Sequence, residues 1–346
     1  MPQSFPISIH TTYHDLLQAH SIRAISDIPG KPFLRDMGEK GKYWYARQRI
    51  GEKTIQKYVG PDTPEVRERI SDAAAANEET HEFERRCASM VAQLRAAGVP
   101  TLDRDTGKVL NAMSKSGVFR LGGTLIGTHA FRLYSAELGV RFENTLAVTG
   151  DVDIAAFENL KLVIEDEVDP ALPATFKDLS LEPAPGLDRK NRPTKWVMGR
   201  EGTTEVEFLV PRMREDSDVL KLEPLGVYAQ ALPFLNFLIA DPIPAVALYR
   251  SGVFLQIPKP ERYAVHKLIV AARRRSSSAL KAKKDLAQAK VLFEVLSKDR
   301  PEELSQAIES ALSRGPAWKE AIDASTRKSV EIERLVSEAL NWRASI

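Results

Sequence analysis

The sequence predicts a mixed α/β core preceded by a β-hairpin with a helix and followed by an all-helical part. Three observations predict this. Residues 42–58, "KYWYARQRIGEKTIQKY", alternate in character on either side of Gly51-Glu52, as a hairpin does. The centre holds short apolar–acidic–apolar stretches, "GDVDIA" and "TTEVEFLVPR", with the period of two expected of strands. After Pro260 the apolar residues recur at helical spacing almost to the end. The expected organisation is an N-terminal hairpin and helical region over 1–105, an α/β core with a mixed sheet over 106–257, and a helical C-terminal domain over 258–346.

Bulk properties agree with a globular protein. The 346 residues are enough for two or three domains, and 43% hydrophobic with 28% charged residues is an ordinary balance. No apolar run approaches the roughly 18 residues of a spanning helix, and the first residues lack a basic start and apolar stretch. Cys87 is the single cysteine, which excludes an intramolecular disulfide and argues against a cysteine-based zinc site. A cytoplasmic protein with no membrane segment is the expectation. A net charge of +2 makes no case by itself for nucleic acid, so local patches matter more.

In chain order, Pro64 to Gly98 reads as a polar helix with Cys87, Met90, Val91 and Leu94 as its apolar stripe. Residues 108–118 lead through a short helix into a strand, "VFRL", which Gly122-Gly123 break; "THAFRLYSAEL" then has helical spacing. Leu146–Val148 and Val152–Ala155 read as strand. The Pro-rich stretch 170–193 has no period and is expected to be irregular. "TTEVEFLVPR" is a strand stopped by Pro211, and helices follow from Glu261, Ser278, Glu302 and about Thr326.

Asp151 and Asp153, two apart on a strand, project to one face while Val152 and Ile154 face the core. Two adjacent carboxylates repel unless water or a cation separates them. Mg²⁺, which prefers oxygen ligands and leaves positions for phosphates, suits them; an exposed edge strand is the plain alternative. Gly122-Gly123-Thr124, after a predicted strand and before a predicted helix, has the makings of a phosphate turn, since glycines admit close backbone approach and helix starts favour anions. A simple strand-to-helix turn is the competing reading. Glu207, in Val206-Glu207-Phe208, is a candidate third carboxylate, and Glu205 shares its face.

The order Gly-Gly, Asp-x-Asp, third carboxylate resembles the DNA-polymerase-beta-like nucleotidyltransferase superfamily. More closely, "GGTLIGTHAF", "TGDVDIA", "VEFLVP", "PKPERYAVHKLIVAARR" and the N-terminal "YWYARQRIGEKTIQKYVGP" are similar to a poorly characterised bacterial subgroup of nucleotidyltransferase-fold proteins, over Tyr43 to about Phe293. The resemblance implies a nucleotidyltransferase core, with Asp151, Asp153 and Glu207 as catalytic residues holding two Mg²⁺ ions. It implies an NTP as substrate, bound through Gly122, Gly123, Thr124, Lys267 and Lys284. The interval from Gly123 to Asp151 is longer than is usual in the superfamily, and the third acid is Glu where Asp is commoner. An acceptor hydroxyl on an RNA such as tRNA, on a protein or on a small molecule fits this chemistry.

His129, in the first turns of the helix after the glycines, is a further candidate, as are Arg262, His266 and Arg273 on one helical face and Lys281, Lys283 and Lys284 after the serine run. Trp44 between Tyr43 and Tyr45, followed by Arg47 and Arg49, suits either base stacking or a small hairpin core. Two other readings stay open: a nucleotide-sugar glycosyltransferase using Asp-Val-Asp, and a non-catalytic nucleotide- or nucleic-acid-binding regulatory module. A dinucleotide fold and a P-loop are disfavoured because neither glycine signature is present.

Overall fold

The computed structural model describes residues 2–26, 31–37, 42–50, 53–143, 151–158, 168–186, 188–198, 204–213 and 218–342. The expected strand Leu146–Val148, and the Gly51-Glu52 turn, lie outside the described residues.

The chain opens with strand β1 (Gln3–Ser4) and helix α1 (Ile7–Ser26). The expected hairpin is present as β3 (Lys42–Ile50) and β4 (Lys53–Pro61), and β2 (Lys31–Asp36) adds to it antiparallel, so the unit is a three-stranded sheet. Helix α2 (Pro64–Ala96) follows as expected and packs on α1 around Tyr13, Leu16, Cys87, Val91 and Leu94.

Helix α3 (Arg104–Ser116) has sharp ends. Asp103 accepts from the Asp105 and Thr106 amides at 3.1 and 2.9 Å, and Gly117 closes the helix at φ 93°. The stretch read as strand "VFRL" is a series of turns. Its bonds are local, from Leu121 N–H to Gly117 O at 2.9 Å and from Gly123 N–H to Val118 O at 2.9 Å. Val118, Phe119 and Leu121 are buried, so the apolar pattern reflects core packing and not a ladder. Gly122-Gly123 therefore do not enter a helix directly. Strand β5 (Thr124–Ile126) intervenes, and helix α4 (Gly127–Glu137) starts at Gly127.

Short β6 (Val140–Arg141) pairs with β1. Strand β7 (Asp151–Ala155) is as expected, whereas the stretch expected to be irregular contains α5 (Leu172–Asp178) and β8 (Leu181–Pro183). Next come β9 (Lys195–Met198), β10 (Thr204–Pro211), β11 (Val219–Leu222) and β12 (Val227–Leu232). The mixed sheet runs β11-β12-β10-β7-β5, with β9 also on β10 and β8 on β9. A one-turn helix α6 (Leu235–Leu238) and the hairpin of β13 (Ile243–Ala247) and β14 (Val253–Ile257) complete the central part.

The C-terminal part is α7 (Pro260–Arg273), α8 (Ala279–Asp299), α9 (Pro301–Leu312), α10 (Pro316–Thr326) and α11 (Val330–Asn341). The expected single helix from about Thr326 begins at Val330, and α10 precedes it, with Gly315 at φ 121° and Pro316 marking its start. One buried cluster extends from Val109 on α3 through Phe208 on the sheet to Ala339 on α11, so sheet and C-terminal helices share a core. Among the described residues no helix is long and apolar enough to cross a membrane.

Candidate active site

The site grows from one strand pairing. Strands β7 and β10 run parallel with Asp151 opposite Glu205 and Asp153 opposite Glu207. Side chains alternate faces along a strand and neighbouring strands stand about 4.8 Å apart, so four carboxylates cluster on one face. Val152, Ile154, Val206 and Phe208 point the other way, fully buried. There Trp196 and Phe176 pack on Phe208, at ring-centroid distances of 5.4 and 6.1 Å. The apolar–acidic alternation thus anchors one face in the core and leaves the acids on the other.

The acids carry the electrostatic cost of that arrangement. Burial first, then the charges of Glu207 and Asp151, push the Asp153 carboxyl up from 3.8 to about 7, against the pull of Lys267 and Lys195. Glu207 is also raised, by burial and then by Glu205 and Asp151, with Lys195 and Lys281 opposing. Lys195, on β9 opposite Glu207, donates to Glu205 Oε2 at 2.7 Å, which raises the lysine's own pKa. Glu205 is thereby committed to Lys195, while Glu207 faces Asp153. As the side chains stand, no three His, Cys, Asp or Glu residues among those described form a closed metal cage. Burial raises Asp153 and Glu207 most, and the repulsion between acids that adds to it is the kind a divalent cation relieves; the donors are all the hard oxygens Mg²⁺ prefers.

The glycine that meets these acids is Gly127. Strand β5 pairs antiparallel with β7, Ile126 opposite Asp153 and Thr124 opposite Ala155. Gly127 follows at φ 68°, and a Cβ there would overlap Asp153 Oδ2, so only glycine fits against this carboxylate. Gly127 and Thr128 are partly exposed at the start of α4. Gly122 is partly exposed as well, whereas the next two residues lie deeper. Gly123 and Thr124 are buried, and Gln256 of β14 donates to Gly123 O at 3.0 Å.

Helix α7 backs the turn. Tyr263 Oη lies 2.9 Å from Gly127 O and 3.2 Å from the Gln288 side chain of α8. Lys267 bonds Asp285 Oδ1 at 2.6 Å, and Arg274 bonds the other oxygen at 2.9 Å. Lys267 is thus held by a buried partner, yet its charge still reaches Asp153. Lys284 is half-buried, and burial and then Lys267 lower its pKa while Asp285 and Asp151 raise it. A basic rim of Lys195, Lys267, Lys281 and Lys284 therefore surrounds the acids.

His129 is 1% exposed on α4, and neither ring nitrogen has a hydrogen-bond partner. Burial, then Arg132 with a smaller push from Lys284, takes its pKa down to about 4, so it is neutral near pH 7. His266 is likewise pushed down to about 3 by burial and then Lys267. Arg262 donates to Phe237 O at 3.2 Å, and Arg273 lies over the Phe234 ring at 4.8 Å, so both serve the packing of α7.

Lys195, Gly127 and Tyr263 were not singled out in the sequence. "KWVM" ahead of "TEVEF" has the alternation of a strand, which is the signal that reveals Lys195. Gly127-Thr128 directly ahead of the helical spacing marks the true helix start. Tyr263 has no local signal, because its partner is 136 residues away.

No curated protein matches the chain, and no solved structure does. A family model described as a domain of unknown function (DUF6788) matches residues 13–68. A second, described as Nucleotidyltransferase, matches residues 104–313, which is more than half of the chain and holds every acid, glycine and lysine of the site. The chain belongs to this nucleotidyltransferase family.

Proposed function

We propose that the chain transfers a nucleoside monophosphate from an NTP to an acceptor hydroxyl, with Asp151, Asp153 and Glu207 holding two Mg²⁺ ions, as in the DNA-polymerase-beta-like superfamily. The observation that carries this reading is the parallel pairing of Asp151 and Asp153 with Glu205 and Glu207, which gathers acids from two strands on one face. Divalent cations bound there would neutralise the triphosphate and lower the pKa of the attacking hydroxyl. The acceptor oxygen bonds to the α-phosphorus, the bond to the β-phosphate oxygen breaks, and pyrophosphate leaves.

The chain's own residues then have distinct tasks. Asp153 must be ionised to bind a cation, so its raised pKa sets the acidic side of activity. Glu207, facing Asp153 and raised by its surroundings, is placed to take the acceptor's proton. The α4 N-terminus beside Asp153 receives the triphosphate tail, favoured by its free amides and the helix field. On this placement Gly127 and Thr128 line the phosphates, and Gly122, Gly123 and Thr124 support the turn from below. Lys267 and Lys284 offset the triphosphate charge from the helical side.

The test is incubation of the protein with each labelled NTP, Mg²⁺ and total cell extract, sorting label among RNA, protein and small solutes. The expected result is Mg²⁺-dependent label in one class with pyrophosphate released, and at least a 100-fold loss in Asp153→Ala. Release of a nucleoside diphosphate, or undiminished transfer by Asp153→Ala, would falsify the assignment.

A further inference from the structure

The three-stranded sheet carries a face that the catalytic reading does not use. Strands β2 and β3 pair in regular register, Phe33 opposite Tyr45 and Arg35 opposite Tyr43. Alternation places Phe33, Arg35, Tyr43, Tyr45 and Arg47 on one face. Phe33 and Tyr45 stack across the strands, with centroids 6.0 Å apart and planes at 29°. Arg47 lies over the Phe33 ring at 4.7 Å and Arg35 over the Tyr45 ring at 5.8 Å, and both arginines are exposed. The opposite face is structural: Trp44 donates to Asp62 at 2.8 Å, and Arg67, in the first turn of α2, grips both oxygens of that carboxylate at 2.7 and 2.6 Å. On the other face Phe33, Tyr43 and Tyr45 are partly exposed, so solvent reaches the aromatic–arginine side.

The charge of this segment is its own. Residues 31–61 hold eight Lys and Arg against three Asp and Glu, a net +5 in a chain whose total is +2. Of its acids, Asp36 is paired with Lys42 at 3.4 Å. Among the described side chains, the aromatic–arginine face carries no carboxylate. Planar guanidinium groups lying over aromatic rings, in a basic field, match a ligand that alternates flat bases with phosphates.

We infer that this sheet is a platform for single-stranded nucleic acid, with Phe33 and Tyr45 stacking bases and Arg35 and Arg47 contacting the adjoining phosphates. A duplex hides its base faces and cannot stack there. An acidic peptide would satisfy the arginines and leave the rings without a flat partner. Nothing in the platform depends on the chemistry at the carboxylates.

Fluorescence anisotropy with full-length protein tests it, using labelled 12-nucleotide oligo(U) and oligo(dT), a duplex of equal length, and polyglutamate or inorganic polyphosphate as competitors. Single strands should bind at least tenfold tighter than duplex, and the polyanions should compete at least tenfold less well than unlabelled strand. Arg35→Gln/Arg47→Gln should weaken binding at least tenfold and flatten the slope of log affinity against log salt by about 1.4, near 0.7 for each single-strand phosphate that is no longer neutralised. Phe33→Leu, checked for folding by circular dichroism, should lower affinity and leave the salt slope unchanged. No single-strand binding at low salt, undiminished binding by the double arginine variant, or equal competition by either polyanion would overturn the platform.

Discussion

Asp153 joins sequence to chemistry through one proton. Its ordinary pKa of 3.8 rises to about 7 in the folded protein because it is buried and faces Glu207 and Asp151. Between about pH 4 and 7 the folded form keeps a proton that the unfolded chain has released. The unfolding free energy therefore falls as pH rises through that window, and the penalty is complete above about 7. Asp153→Asn has the same shape and no charge to desolvate. Relative to wild type it should gain roughly 2–4 kcal/mol in urea unfolding at pH 8 and little at pH 4. Millimolar Mg²⁺ should raise the wild-type midpoint at pH 8 more than at pH 6, because cation and proton compete, and should barely move Asp153→Asn. An Asp153→Asn variant no more stable than wild type at pH 8 would remove the electrostatic basis of the site. The acids themselves were legible in the sequence, since Asp-Val-Asp and Glu-Val-Glu alternate with apolar neighbours. Lys195 was not, because its value depends on which strand lies beside β10.

At the scale of elements, the turn into α4 decides which glycine faces the ligand. Gly127 at φ 68° and Gly122 at φ 85° both hold a conformation that costs a side chain about 1 kcal/mol or more. At Gly127 a Cβ would also strike the Asp153 carboxylate. Both Gly→Ala variants should therefore lose stability in denaturant unfolding. Gly127→Ala should lose disproportionately more nucleotidyl transfer, by at least tenfold when rates are compared for folded protein. If Gly122→Ala shows the larger ratio of activity loss to stability loss, the phosphate turn lies there instead. This element was half legible. The helical spacing of "THAFRLYSAEL" located α4, but Val118, Phe119 and Leu121 carry an apolar pattern that suits a strand and buried turns equally well. Hydrogen bonds closed within 117–123 decided for the turns. Likewise, strand character could be read in β7 and β10, but not their parallel register, which brings together residues more than 50 positions apart.

For the whole molecule, Arg300 links parts that look separate in the sequence. It sits at the junction of α8 and α9, and its guanidinium is 3.0 Å from Glu137 Oε1 at the end of α4 and 3.7 Å from Glu261 Oε1 at the start of α7. Both glutamates are buried, at 7% and 3% exposure, and burial raises the Glu261 pKa. Helix spacing alone marked the C-terminal helices as a unit; their union with the sheet depends on such long-range contacts and on the shared core around Phe208 and Phe293. Arg300→Met keeps most of the side chain's bulk but leaves two buried carboxylates without their cation, which should cost about 3–5 kcal/mol at pH 7. Arg300→Lys should recover only part of this, since an ammonium lacks the fork that reaches two acids. As pH falls through the raised Glu261 pKa toward the ordinary carboxyl value of 4.5, the cost should shrink, because the buried carboxylates take up protons. Because sheet and helices share one core, the urea midpoint should fall at constant slope, with far-ultraviolet circular dichroism and tryptophan fluorescence moving together. Separate transitions for the two probes would mean that the C-terminal helices fold independently of the sheet, and that Tyr263 and Lys267 are not held rigidly over the carboxylates.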